Sequence, residues 1–85
     1  MRRLRFTRRA TRDLARLPDK AASNIVLKLE KMAADPTSQA NNIRALAGFE
    51  GFRLRVGDWR ILFTQDDNDI VVHVVGHRSS VYRDI

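Results

Sequence analysis

Residues 52–63, FRLRVGDWRILF, alternate apolar and basic side chains around a central glycine–aspartate pair. Alternation with a period of two is typical of a β-strand that buries one face. A glycine followed by an aspartate suits a two-residue hairpin loop of type I′ or II′. The stretch therefore predicts two antiparallel strands joined at Gly57–Asp58, and this loop places Arg55 directly opposite Arg60.

The predicted register divides the hairpin into two faces. The apolar face consists of Phe52, Leu54, Val56, Trp59, Ile61 and Phe63. The other face, which we call the basic face, collects Arg53, Arg55, Arg60, Leu62 and Thr64. Like charges that face each other on neighbouring strands destabilise a sheet by roughly 0.2–1 kcal/mol. Since the hairpin places no acid there, a phosphate is the predicted counterion; the alternative is that the arginine stems only cover the sheet.

The rest of the chain predicts one α+β domain over residues 1–85. In order, the segments are a strand over 4–7, a helix over 8–17 with Thr7 as its N-cap, a helix ending near Ala34, a loop over 37–51 with a helical turn near Ile43 and Leu46, the hairpin, and a strand over 70–78. The order β-α-α-β-β-β predicts a helical hairpin on the apolar face of a small, largely antiparallel sheet. The basic face remains partly uncovered.

The last predicted strand brings histidines to the basic face. With a four-residue loop over 66–69, His73 and Val75 fall on that face and His77 continues their line. An imidazole can exchange a proton near neutral pH. Two histidines without an organised carboxylate are a weak indication of a metal site, so we predict no metal and no other cofactor.

Positive charge is concentrated at the N-terminus. The first sixteen residues contain seven arginines and one acid, and the net charge of the whole chain is +6. Such a patch suits nucleic acid or an acidic protein, although a solvated helix face is the plainer alternative. The arginines predicted to bind RNA are Arg3, Arg5, Arg8, Arg9, Arg12 and, at the other end of the chain, Arg83.

Several classes of protein are disfavoured by composition. No apolar run approaches the ~20 residues of a membrane span, and the first residues lack the apolar stretch of a signal peptide. The absence of cysteine excludes disulfides and thiolate metal sites. We therefore expect a cytoplasmic protein without membrane contacts.

Two stretches resemble a known family. LAGFEGFRLRVGDWRILF (46–63) followed by IVVHVVGHRSSVY (70–82) is similar to the RelE/ParE superfamily, the toxins of bacterial type II toxin–antitoxin modules, in its RelE-like branch. The resemblance implies a ribosome-dependent endoribonuclease, or mRNA interferase, that needs no metal. In this reaction the ribose 2′-OH attacks the adjacent phosphate and leaves a 2′,3′-cyclic phosphate and a free 5′-OH.

The resemblance also implies site residues. Arg53 and Arg55 match two basic strand positions that are often lysines in the family, so here they should act only electrostatically. In the family's pattern, Arg60 matches the transition-state arginine after the turn and Arg78 matches the arginine that follows the G-[HK] step. Tyr82 matches the C-terminal tyrosine that stacks near the scissile nucleotide. Proton transfer then falls to His77, with Glu50 as a second candidate for the base.

The implied partners are mRNA, the ribosome with its rRNA, and an acidic antitoxin that masks the basic face in a toxin–antitoxin hetero-oligomer. Two other functions stay open. The ParE-type branch shares the fold but inhibits DNA gyrase. A non-catalytic RNA-binding module would bind with a steep dependence on salt and would cleave nothing.

Overall fold

The computed structural model describes residues 1–48 and 50–84, without the side chains of residues 83 and 84. Its strands are β1 (Arg3–Phe6), β2 (Ile43–Ala45), β3 (Phe52–Val56), β4 (Trp59–Gln65) and β5 (Asp69–His77). Its helices are α1 (Arg8–Ala15) and α2 (Asp19–Ala34), with 3₁₀ turns at Ala40–Asn42 and Val81–Asp84. The strand order is β1-β5-β4-β3-β2, and the β1–β5 pair is parallel while the others are antiparallel. The α+β architecture is confirmed, with one strand more than predicted.

Strands β3 and β4 pair in the predicted register. Arg55 lies opposite Arg60, and Phe52 lies opposite Phe63 with the ring centroids 5.6 Å apart. Gly57 adopts a φ of 58°, in the left-handed region that favours glycine. The loop chemistry therefore determines the register, as the sequence predicts.

The core lies between α2 and the apolar face of the hairpin. Its buried side chains include Ile25, Leu29 and Met32 from α2 and Leu54, Ile61 and Phe63 from the hairpin. The N-cap of α1 is confirmed, because Thr7 Oγ1 accepts a hydrogen bond from the Ala10 amide at 3.1 Å. Within the described residues no helix is long and apolar enough to cross a membrane.

The predicted loop over 37–51 contains the additional strand. β2 pairs with β3, and Ile43 packs against the core. The helical turn that was predicted near Ile43 and Leu46 lies earlier, at Ala40–Asn42. A three-residue edge strand is too short to show periodicity in the sequence, and its pairing with β3 supplies the missing stabilisation.

A β-bulge at His73 changes the register of the last strand. Phe63 pairs with Val72 and Leu62 pairs with Val74, so that His73 has no Cα partner on β4. One extra residue in a strand moves every following side chain to the other face. Gln65 pairs with Ile70, as a four-residue loop predicts, although β5 itself begins at Asp69. The predicted alternation holds only as far as the bulge.

The bulge corrects two predictions. Val75 belongs to the core beside the helices, and His77 lies opposite Trp59 rather than in line with the basic face. The prediction that these two residues lie on the basic face is therefore wrong. The prediction for His73 is confirmed, since its Nε2 lies 2.8 Å from Oγ1 of Thr64, a basic-face residue.

Asp13 is the one acid of the basic N-terminal segment. It binds the edge of β5 just past the residues of β5 that pair with β1. Its Oδ2 accepts a hydrogen bond from the Val75 amide at 3.1 Å, and Arg9 Nε lies 3.7 Å from the same oxygen. A charged acceptor on an otherwise unpaired strand amide contributes more than a neutral one. Asp13 and Arg9 therefore stabilise this edge of the sheet.

We expect Asp13→Ala to lower the free energy of unfolding by about 1–3 kcal/mol, because the Val75 amide loses its acceptor. Urea denaturation followed through the fluorescence of Trp59, the single tryptophan, measures the change. Asp67→Ala, which removes an exposed turn carboxylate, is the control and should shift stability by less than about 0.5 kcal/mol. Equal midpoints for the two variants would show that the edge needs no cap.

Candidate nucleic-acid interface

Two opposed pairs of arginines lie on the basic face of the sheet. Arg44 of β2 faces Arg53 of β3, and Arg55 of β3 faces Arg60 of β4. We call these four residues the arginine quartet. Among the side chains that the structure describes, no carboxylate forms an ion pair with any of them. The sequence predicted one pair of opposed like charges, and the structure contains two such pairs on neighbouring strands.

Neutral acceptors orient two of the four guanidinium groups. Arg60 Nη1 donates to the carbonyl oxygens of Gly57 at 2.8 Å and Trp59 at 2.9 Å. Arg55 Nη2 donates to Asn42 Oδ1 at 3.3 Å. Carbonyl and amide oxygens fix the direction of a guanidinium without cancelling its charge, so the charge stays available to an anion.

Arg53 carries a second kind of unsatisfied chemistry. Its Nε is buried and has no hydrogen-bond partner among the described residues. Leaving a buried donor unpaired costs about 1–3 kcal/mol. The middle of the face therefore combines an unpaired buried donor on Arg53 with an opposed like charge on Arg44, and both are unfavourable for stability.

Sequence analysis missed Arg44, which it placed in a loop. The alternation of Ile43, Arg44 and Ala45 is the only local signal, and three residues are too few to establish a period. The position becomes recognisable only once β2 is known to pair with β3.

The C-terminal turn covers part of the basic face. Leu62, Val74 and Val81 form a small buried cluster there, with Leu46 packed against it. Tyr82 follows directly and is 40% exposed. The predicted stacking residue thus follows directly on a buried valine, and its own side chain is partly accessible.

Arg78 lies at the end of the sheet next to the hairpin loop. Its Nε is 3.6 Å from Asp58 Oδ1, and its amide donates to the Asp58 carbonyl at 2.8 Å. Both side chains are exposed, so the ion pair contributes at most about 1 kcal/mol. An incoming phosphate could therefore displace Asp58 at small cost.

His77 faces the helix side of the sheet. Its ring meets Trp59 edge-on with centroids 5.6 Å apart. Nδ1 accepts a hydrogen bond from the Ser79 amide at 3.2 Å and lies 2.8 Å from Ser79 Oγ. These contacts shape the turn after β5, and they place the imidazole away from the arginine quartet.

The arginines of the N-terminal segment that are predicted to bind RNA lie on β1, at the opposite edge of the sheet from β2, and on α1. Arg3 Nε bonds Asp69 Oδ1 at 3.0 Å, and this hydrogen bond and ion pair raise the pKa of Arg3. Three others, Arg5, Arg8 and Arg12, are exposed.

Arg5 pairs with Val71, which pairs with Thr64, so Arg5 lies on the same side of the sheet as the arginine quartet. At about 4.8 Å per strand, β1 lies roughly 10 Å from Arg60 on β4 and roughly 14 Å from β3. The side chain of Arg83 lies outside the described residues.

The fold and this face define a class, the RelE-like α+β toxins of type II toxin–antitoxin systems. A sequence model of the family described as the ParE toxin of the type II toxin–antitoxin system parDE matches residues 4–82. The chain belongs to this family. A search of curated proteins returned no match.

Solved structures share the fold. A chain of the RelB–RelE antitoxin–toxin complex from Methanococcus jannaschii is 24% identical, with a TM-score of 0.76 over 95% of this chain and 98% of that one. A chain of the RelBE2 toxin–antitoxin complex from Mycobacterium tuberculosis is 29% identical, with a TM-score of 0.66 over 91% and 98%. The isolated RelE toxin from E. coli is 19% identical, with a TM-score of 0.71 over the full length of both chains.

Proposed function

We propose that the chain is a ribosome-dependent mRNA endoribonuclease, an mRNA interferase that an antitoxin keeps inactive. The observation that carries the proposal is the arginine quartet, four guanidinium groups on one face without carboxylate partners among the described side chains. Planar, permanently charged guanidinium groups match the oxygens of phosphate better than other side chains do. A row of phosphates in single-stranded RNA is a ligand of the right charge and shape.

In the proposed reaction the ribose 2′-OH loses its proton and attacks the adjacent phosphate. The bond from phosphorus to the 5′-oxygen breaks, and that oxygen takes up a proton and leaves as a hydroxyl. Negative charge builds up on the non-bridging oxygens, and Arg60 stabilises it because two backbone carbonyls already orient its guanidinium. Arg53 and Arg55 hold the chain on either side of the scissile bond. Arginine supplies the positive charge at each of these steps, so the proposal needs no metal ion bound by the toxin itself.

Tyr82 and Arg78 serve substrate binding in this proposal. The exposed ring of Tyr82 stacks on a base next to the cut, an interaction of about 1–3 kcal/mol. Arg78, released from Asp58, adds a phosphate contact at the end of the face. The N-terminal arginines, at the β1 edge of the sheet and on α1, bind rRNA and affect docking rather than chemistry.

The proton-transfer role of His77 stays a prediction, and its geometry argues for a different role. We expect His77→Gln to cleave within about tenfold of the unaltered chain with the same pH profile, because its ring faces Trp59 and Ser79. Single-turnover rates between pH 5.5 and 8.5 measure this. A 10²–10⁴-fold loss that also removes an ionisation from the profile, about the usual size for a general acid or base, would establish His77 as the proton-transfer group.

Inhibition of DNA gyrase is the second candidate, and the match to the ParE family favours it. Pulse labelling after induced expression separates the two. Our proposal predicts that methionine incorporation stops first while chromosomal DNA stays intact. Early DNA breaks with continued translation would support the gyrase target. If neither effect is seen, the remaining candidate is a non-catalytic RNA-binding module.

An acidic antitoxin is the proposed protein partner, and the cytoplasm is the proposed compartment. The similar structures include antitoxin–toxin complexes, and a chain with a net charge of +6 attracts an acidic segment. Such a segment would neutralise the quartet and exclude RNA from the same face.

A further inference from the structure

We infer that Val81, seated on Gly76, is the positioning residue that holds Tyr82 over the Arg60 end of the basic face. The inference rests on the proposed function for its effect on cleavage, but the placement itself is a property of the fold. It concerns a contact between two residues that do not touch RNA.

Gly76 occupies the position opposite Arg60 on β5. A Cβ atom added there would lie 3.3 Å from both Cβ and Cγ2 of Val81 and 3.6 Å from its Cα. Among the described residues only Gly48 and Gly57 have a positive φ, so the backbone at Gly76 would accept any residue. A side chain at this position would therefore press on Val81.

Val81 in turn anchors the C-terminal turn. It is 1% exposed and packs with Leu62 and Val74, whereas Tyr82 is 40% exposed. Hydrogen bonds from the Ser80 amide to the His77 carbonyl at 3.0 Å and from the Ser79 amide to His77 Nδ1 close the turn on its other side. The ring of Tyr82 is thus placed through its neighbour rather than through contacts of its own that bury it.

This arrangement predicts that a small substitution at Gly76 lowers the rate of cleavage. A methyl group at Gly76 must push Val81 outward by a few tenths of an ångström. Displacement of a positioning group lowers the rate of the chemical step more than it weakens binding. We expect Gly76→Ala to reduce the single-turnover rate about tenfold, with the half-saturating concentration of programmed ribosomes unchanged within about twofold.

The test is a comparison of Gly76→Ala in two backgrounds, the unaltered chain and Tyr82→Ala. If Gly76 acts through Tyr82, the substitution slows cleavage in the first background and has no further effect in the second. Val81→Ala should behave in the same way, and Val26→Ala, the same truncation on α2, is the control. An equal loss in both backgrounds would overturn the inference while leaving the ribonuclease proposal intact.

A second measurement does not depend on activity. Tyr82 is the only tyrosine, so fluorotyrosine labelling gives one ¹⁹F resonance for the folded protein. We expect Gly76→Ala and Val81→Ala each to shift this resonance, and Val26→Ala to leave it in place. An unshifted resonance in Gly76→Ala would overturn the inference, whereas a shifted resonance in a chain that cleaves no RNA would refute only the proposed function.

Discussion

Arg60→Ala is expected to lower ribosome-dependent mRNA cleavage by about 10²–10³-fold, the usual loss when one oriented donor to a developing oxyanion is removed. The guanidinium is held by the carbonyls of Gly57 and Trp59, so its direction is set before RNA arrives. Preorganised charge stabilises the transition state without reorganisation, and this is why one side chain has so large an effect.

The same substitution should leave the fold unharmed. It relieves the repulsion with Arg55 but also removes the hydrogen bonds to the Gly57 and Trp59 carbonyls, so the free energy of unfolding should change by no more than about 1 kcal/mol. Lys31→Ala, which removes a positive charge from the exposed surface of α2, is the matched control and should keep full activity. An Arg60→Ala chain as toxic as the unaltered one would refute the assignment.

Phe63→Ala should have the largest effect on stability. Its side chain is fully buried between α2 and the sheet and stacks on Phe52, and truncation of a buried phenylalanine costs about 3–5 kcal/mol. A domain of this length has a total stability of about 4–13 kcal/mol. The loss is therefore a large part of the total, and we expect the variant to unfold at a clearly lower urea concentration and a clearly lower temperature than the unaltered chain.

Circular dichroism and urea denaturation test this expectation. Leu27→Ala removes an exposed leucine from α2 and should change the free energy of unfolding by no more than about 0.5 kcal/mol. If the free energy of unfolding of Phe63→Ala lies within about 1 kcal/mol of that of the unaltered chain, the expected loss of about 3–5 kcal/mol is refuted. The core would then tolerate the cavity or collapse around it.

The sequence predicted those parts of the fold that local chemistry determines. Gly57–Asp58 sets the loop, the loop sets the register of β3 and β4, and the register places Arg55 against Arg60. The two helices follow from periodicity and from Thr7 as the N-cap. The arginines of the hairpin can therefore be assigned to one face from the amino-acid pattern alone.

The remaining features depend on contacts between distant parts of the chain. The bulge at His73 leaves no trace in a run of valines, yet it turns His77 to the helix side. Strand β2 exists because β3 offers it an edge, and with β2 comes Arg44. Neither the bulge nor β2 can be predicted from the sequence pattern, since both depend on strand pairing and not on composition.

The central claim is that the basic face cuts mRNA on the ribosome. The direct measurement is a purified translation reaction in which the ends of a defined mRNA are mapped with and without ribosomes. We predict cuts only when ribosomes are present, upstream fragments that end in a 2′,3′-cyclic phosphate, and about 10²–10³-fold less cleavage by Arg60→Ala. Intact mRNA under all conditions, with the unaltered chain folded and bound to ribosomes, would contradict the proposal.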